Sequence, residues 1–230
     1  MRILAMDTAS RTCSVAVVED DTVMAEFTLN HRDTHSRFLM EMIDRVLAIS
    51  RFTPADMDGF AVTIGPGSFT GLRIGLSTVK GLAIATDKPV VGVSSLDALA
   101  FPFAYSDKLV CPLMDARRHE VYTARYRFEG ARMIVHAPPD VTSPESAVCD
   151  IHEPCIFTGD GAAAYRDRIM DIMKSRGVRA VVADYCHHPI RASIIAALAM
   201  PRFKTSDTDD AGVIIPCYIR PSDAKKMIER

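Results

Sequence analysis

Residues 60–75 read FAVTIGPGSFTGLRIG, an apolar run of strand character that passes directly into four glycines and a proline within eleven residues. The chain continues as LSTVKGLAIAT (76–86), which has a helical composition. A buried strand that feeds a helix through a glycine-rich turn is a building unit of α/β folds. The glycines admit three uses: cradling a phosphate at the helix N-terminus, holding Ser68 as a nucleophile, or letting another backbone lie very close. The spacing is neither G-x-G-x-x-G nor G-x-x-x-x-G-K-[ST], and it is not the G-x-S-x-G of a hydrolase elbow. Inside a helix each glycine costs about 1 kcal/mol relative to alanine, so Gly71, Gly75 and Gly81 require a reason. Gly71 and Gly75 lie four apart and share a face that Thr78 and Leu82 continue. That face packs either on this chain's own sheet or on a helix of a partner chain.

Outward from this stretch, the first hundred residues read β-β-β-α-β-α-β-α. Arg2–Thr8, Cys13–Glu19 and Thr22–Leu29 are β-branched runs with short turns between them, which predicts an antiparallel meander. Thr34–Ser50 follows, with Phe38, Leu39, Met42, Ile43, Val46 and Leu47 at helical spacing and Asp33 or Thr34 as the cap. Met40 and Ile49 lie off this stripe, so a second face of the helix is expected to be buried. The second half repeats the theme: a strand, an Asp-Ala-Arg turn and further strand over Lys108–Phe128, a third run at Arg132–Pro138, then PCIFTGDG (154–161), a helix over Ala162–Met173, a strand over Arg179–Asp184 and a helix over Ile190–Met200. The tail reads as a short strand and a charged end. Two lobes are expected, 1–103 and 104–230, with the option that the C-terminal segment packs back on the first.

The charge balance excludes some functions. The 230 residues hold 27 Lys and Arg against 29 Asp and Glu, a net charge of −2. A chain without a basic excess does not hold nucleic acid by a broad field alone. The N-terminus has no signal-peptide layout, no apolar run approaches the roughly 20 residues needed to span a bilayer, and the six cysteines show no C-x-x-C pair. A reducing, cytoplasmic setting is expected.

Candidate chemistry is sparse. Asp7-Thr8 ends the first strand, where an Asp can orient a metal–phosphate, although shaping the turn is the commoner role. Gly159-Asp160-Gly161, between a strand and a helix, is a second phosphate-loop candidate. His31 and His35 are four apart, but His31 precedes the helix and no third ligand is evident, so a metal site is not expected. Asp115-Ala-Arg117-Arg118-His119-Glu120 is either a surface ion-pair cluster or a place where a ligand or partner reads the second lobe.

The segments MRILAMDTAS, CSVAVV, GPGSFTGLRIGLSTVKGLA, VVGVSSLDALA, DARRHEVY and PCYIR together resemble the bacterial TsaB (YeaZ) family. The resemblance implies a shortened two-lobed actin, sugar-kinase and Hsp70-like fold, an α/β duplication of a ribonuclease-H-like unit. It implies a non-catalytic partner of TsaD, the subunit that transfers threonylcarbamoyl to the adenosine beside the anticodon of ANN-decoding tRNAs, with TsaE as ATPase. The implied partner surface comprises Phe38, Leu39, Met42, Ile43, Val46, Gly71, Leu72, Gly75, Thr78, Val79 and Leu82. Asp7, Thr8, Gly159, Asp160 and Gly161 would be relics of a nucleotide site. No tightly bound cofactor is expected, ATP or ADP would join only within the full complex, tRNA would be held by the assembly, and the isolated chain would form a homodimer. The alternatives are an active phosphotransferase or ATPase of the same fold, and a protease.

Overall fold

A computed structural model describes residues 1–30 and 35–220, without the side chains of His35 and Ser36. The proposed cap at Asp33 or Thr34 and the His31/His35 pair lie outside the described residues. Two five-stranded sheets carry the fold, and they have the same plan. In the first, β1 (Arg2–Asp7), β2 (Thr12–Glu19) and β3 (Thr22–Asn30) form the expected meander, and β4 (Gly59–Gly65) and β5 (Val90–Ser94) add in parallel beside β1, giving the order β3-β2-β1-β4-β5. In the second, β6 (Leu109–Asp115), β7 (Val121–Glu129) and β8 (Arg132–Thr142) are antiparallel, and β9 (Cys155–Thr158) and β10 (Ala180–Val182) add in parallel beside β6. Three antiparallel strands followed by two parallel crossovers, twice, is the duplication expected from sequence.

The helices are α1 (His35–Ser50), α2 (Phe69–Thr86), α3 (Ser95–Ala100), α4 (Pro144–Val148), α5 (Asp160–Ala164), α6 (Arg166–Ser175) and α7 (Ala192–Lys204). One compact unit comprises Met1–Ala98 with Ile190–Cys217, and the other comprises Leu99–Pro189 with the described residues from Tyr218. The boundary therefore falls at Ala98/Leu99 instead of Phe103/Ala104, and α7 belongs to the first unit although it follows the second sheet in sequence.

Strand alternation explains both faces of the first sheet. Leu4, Met6, Val15, Val17, Phe60 and Val62 point to one side and form a core with Leu39, Ile43 and Val46 of α1 and Leu76 and Val79 of α2. The opposite side carries Ala5, Ser14, Ala16 and Ala61, all buried. Small residues there let α7 approach through Ala192, Ile195, Ala196 and Ala199. Its start is tied to the sheet: Ala192 N–H donates to Ser14 Oγ at 3.0 Å, and Glu26 of β3 accepts from both the amide and the hydroxyl of Ser193 at 2.9 Å. In the second unit, Leu109, Cys111, Leu113, Cys155 and Phe157 form a separate core with Val148, Ile169 and Met173.

Three local expectations are corrected. The helix expected over Ala162–Met173 breaks at Tyr165, whose φ of −110° and ψ of 19° end α5 and start α6. The third strand of the second sheet runs through Pro138 and Pro139 to Thr142, because β8 is an edge strand with register shifts, where proline costs no ladder bond. The expected tail strand does not form: Cys217 N–H donates to the Ile64 carbonyl at 2.7 Å as an isolated contact.

Candidate functional site

The glycine stretch is built onto the end of β1. After Gly65, the chain turns through Pro66 and Gly67 to Ser68, whose Oγ caps α2 by accepting from the Gly71 N–H at 3.2 Å. The Ser68 N–H donates to the Ala9 carbonyl at 2.7 Å, and a Cβ on Gly67 would lie 2.3 Å from the same oxygen. One turn on, the Thr8 hydroxyl donates to the Gly71 carbonyl at 2.7 Å. A Cβ on Gly75 would meet Thr8 Oγ1 at 2.4 Å and Val62 Cγ2 at 3.3 Å. The Gly71/Gly75 face thus lies on the chain's own sheet. Ser68 N–H and Gly71 N–H, donors an anion would need at a helix N-terminus, are engaged within the chain.

The same holds for most of the residues expected at a partner surface. Leu39, Met42, Ile43, Val46, Gly71, Leu72, Gly75 and Val79 are buried in this chain. Their stripe faces the β1–β2–β4 side of the sheet, and an apolar stripe at helical spacing does not by itself say which apolar surface it meets. Phe38, Thr78 and Leu82 are partly exposed. Outward, α1 presents Met40 and Ile49, the residues expected to form a second buried face, at 49% and 61% exposure. The exposed side of α2 runs through Thr70, Arg73, Ser77, Gly81 and Ile84. Phe69, Thr70, Arg73, Ile74, Ser77 and Thr78 line a shallow groove there, with the Arg73 guanidinium 3.8 Å from the Phe69 ring centre. A Cβ on Gly81 would meet nothing within 4 Å. Gly81 is the helix glycine for which this chain offers no packing reason, and its position off the Gly71/Gly75 line was the sequence signal for this second face.

The five nucleotide-site candidates are each engaged inside their own unit. Asp7 is fully buried, and its Oδ1 accepts from the Ala9 N–H at 3.0 Å and the Thr63 hydroxyl at 2.7 Å. This is the turn-shaping role, reinforced by β4. Asp160 Oδ1 accepts from the Asp115 N–H at 3.0 Å. Gly159 has φ +97°, and a Cβ there would lie 2.5 Å from the Leu113 carbonyl oxygen; on Gly161 it would lie 2.8 Å from the same atom. The Gly-Asp-Gly loop therefore rests on the end of β6, as the Gly-Pro-Gly loop rests on the bend after β1.

Nucleophile chemistry finds little support in the cores. Burial, with a smaller contribution from the Asp7 carboxylate, pushes the Cys13 thiol up to about 12, and burial pushes Cys155 to about 11 and Cys111 well above its ordinary value. Such thiols stay protonated and unreactive at neutral pH. Cys186 is exposed, with Sγ 3.1 Å from Nδ1 of His187, whose ring lies tilted against Phe103 with centroids 5.4 Å apart. Among the described residues, no group of three His, Cys, Asp or Glu side chains is placed to hold a metal ion, and no helix is long and apolar enough to cross a membrane.

The Asp115–Glu120 segment is the most strained turn in the described chain. Arg117, Arg118 and His119 have φ of +62°, +54° and +60°, three left-handed residues in succession. Each such conformation costs a non-glycine residue about 1–2 kcal/mol. The turn is held from both ends: Asp115 Oδ1 accepts from the Arg117 N–H at 2.9 Å, Ala116 N–H donates to the Glu120 carbonyl at 2.9 Å, and Arg220 donates to the Ala116 carbonyl at 3.0 Å while pairing with the Glu120 carboxylate.

With this geometry in place, comparison with known proteins is informative. The family model described as "TsaD: tRNA N6-adenosine threonylcarbamoyltransferase" matches residues 22–227. The tRNA threonylcarbamoyladenosine biosynthesis protein TsaB of Bacillus subtilis is 32% identical over 234 residues, covering 100% of this chain and 99% of the relative. The solved structure of YeaZ from Pseudomonas aeruginosa superposes with a TM-score of 0.79 at 26% identity, covering 94% of this chain and 99% of that one. A Clostridium difficile dehydratase activator with bound ADPNP matches at a TM-score of 0.52 and 10% identity over 90% of this chain and 97% of its own, which shows the shared actin-like ATPase fold alone. The duplicated sheets, the glycine stretch and full-length similarity agree: the chain belongs to the TsaB/YeaZ family.

Proposed function

We propose that this chain acts in tRNA threonylcarbamoyladenosine biosynthesis as a non-catalytic, activating subunit, paired with a TsaD-type transferase and joined by a TsaE-type ATPase. The observation that carries the non-catalytic reading is the engagement of Asp7, Thr8 and the Gly159–Gly161 loop by the chain's own backbone and side chains. A metal–phosphate site needs a carboxylate that can reach the ion, and Asp7 is 0% exposed. No nucleotide is resident on this chain alone under this proposal; ATP or ADP enters with the full assembly, which also holds the tRNA.

The contact with the transferase is assigned to the outward sides of α1 and α2, around Met40, Ile49, Phe69, Gly81 and Ile84, with Phe38, Thr78 and Leu82 at its margin. A glycine kept in an exposed helix interior costs about 1 kcal/mol, and close approach by another helix gives that cost a use. In the absence of the transferase the same face is expected to pair with a second copy of the chain.

Gly81→Leu separates this face from the fold, because the site is open in the isolated chain. Co-purification with the transferase subunit of the same organism is expected to fail for Gly81→Leu while the variant unfolds at or slightly above the wild-type temperature, since the helix loses an exposed glycine. Undiminished binding by the variant would move the contact elsewhere. Failure of the wild-type chain to pair, together with tight Mg–ATP binding in calorimetry, would favour the phosphotransferase reading instead.

A further inference from the structure

The two sheets have four edge strands, and three of them are closed to further pairing. β5 is covered by the segment after α7: the Asp209 N–H donates to the Val90 carbonyl at 2.8 Å, Asp209 Oδ2 accepts from the Gly92 N–H at 2.7 Å, and Arg202 donates to the Gly92 carbonyl at 3.1 Å. β10 has only three residues. β8 carries Pro138 and Pro139 and two shifts of register. Short length, proline, bulges and a covering segment are the ordinary ways of blunting a sheet edge. β3 is the exception. It is nine residues long and holds no proline, and after one register shift between Val23 and Ala25 its residues Ala25–Asn30 run continuously beside β2. Every second residue there turns its N–H and C=O away from β2, and among the described residues no strand takes them up. Glu26 is the one charged residue of β3, and Arg191 and Ser193 hold its carboxylate. Ala25 and Leu29 pack against the core, while Val23, Met24 and Phe27 are exposed.

We infer that the β3 edge pairs with the β3 edge of a second copy of this chain, antiparallel about a two-fold axis, so that two five-stranded sheets join into one. Alternating N–H and C=O groups select an extended strand as the occupant. Charge selects the second copy. Like charges directly opposite each other destabilise a strand pair, and the one carboxylate of β3 is already paired with Arg191. A net charge of −2 adds little repulsion between whole chains. With Phe27 opposite Phe27 of the second copy, Glu26 faces Thr28 and Ala25 faces Leu29. An aromatic pair then forms at the axis, and no charge meets its like. None of the residues assigned above to the transferase contact takes part.

Hydrogen exchange of the wild-type chain at low and high concentration tests the pairing, since the edge amides report it directly. Expected is slower exchange of alternate amides over 25–30 at high concentration. Exchange there that is independent of concentration would overturn the pairing. So would slowing confined to α1 and α2, which would give self-association to the helices. Slowing of β3 that appears only when the transferase is added would give the edge to a strand of that protein, and the second copy would be the wrong occupant. A second measurement places charge at the axis. Tagged Phe27→Lys is expected to capture untagged Phe27→Glu about fivefold better than untagged Phe27→Lys, since opposite charges replace like ones across the pair. Equal capture would overturn the pairing, because contact through the helices is blind to residue 27. If these variants do not fold, the wild-type exchange decides alone.

Discussion

In the first repeat, the helix after the fourth strand is 18 residues long and carries its glycines within the helix; in the second, the corresponding segment is broken into helices of 5 and 10 residues, and its glycines precede or open the first. Both segments lie on the end of the first strand of their sheet, but different atoms set the distance. Within α2, Gly75 is limited by a side chain, Thr8 Oγ1, whereas Gly159 and Gly161 are limited by main-chain atoms of Leu113, Met114 and Asp115, as Gly67 before α2 is by the Ala9 carbonyl. A side-chain obstruction can be removed by substitution and a backbone one cannot. The glycine turns of the two repeats are thus set by main chain alike, and Gly75 inside α2 is the position with a different tolerance.

Gly159→Ala is expected to have the largest effect, since it combines backbone strain at φ +97° with a collision against a carbonyl, at a cost of about 3 kcal/mol or more. Urea unfolding would read it, and rescue by any side-chain change at Leu113 would break the comparison. Gly75→Ala comes next, at about 1–3 kcal/mol for overpacking. Combined with Thr8→Ala it should cost clearly less than the sum of the two single variants, since the obstructing oxygen is gone. Strict additivity in that cycle would mean that Val62 or the helix position, and not Thr8, sets the distance.

Glu26→Ala tests the other asymmetry, the helix that the first sheet receives from far along the chain. Removing this carboxylate leaves the Ser193 amide and hydroxyl without their acceptor, at a cost of about 1–3 kcal/mol. Hydrogen exchange should quicken over 192–204 and not over the second sheet. The smallest expected effect is on pH dependence. Burial lowers the pKa of His188, in the second unit, below its ordinary 6.5. The unfolded chain then takes up its proton at a higher pH than the folded one, so the contribution is full above pH 6.5 and is lost as pH falls below it. His188→Asn should flatten that acid limb, and an unchanged limb would assign it to other groups.

Much of the fold was legible because apolar, β-branched runs and turn residues mark the strands, and both halves show them. Repeat architecture, the strand expected over Met57–Ile64 and found at Gly59–Gly65, and the two long helices were read directly. Which surface the apolar faces of the two helices meet was not. Leu39, Ile43, Val46 and Val79 form an apolar stripe at helical spacing, and such a stripe meets a sheet or a partner helix with the same residues. The glycine register was similarly two-valued, and Thr8 at the end of β1 decided it.

What the sequence determined by itself is the order of most strands and helices, the duplication, and the glycine-rich turns between them, since these follow from local backbone preference and periodicity. What the tertiary structure decided is which surface each apolar face meets: Gly71 and Gly75 against the chain's own Thr8, Gly81 toward solvent, and α7 on the first sheet instead of the second. Those choices depend on contacts between residues far apart in the chain, such as Glu26 with Ser193, and no local pattern encodes a distance of that kind.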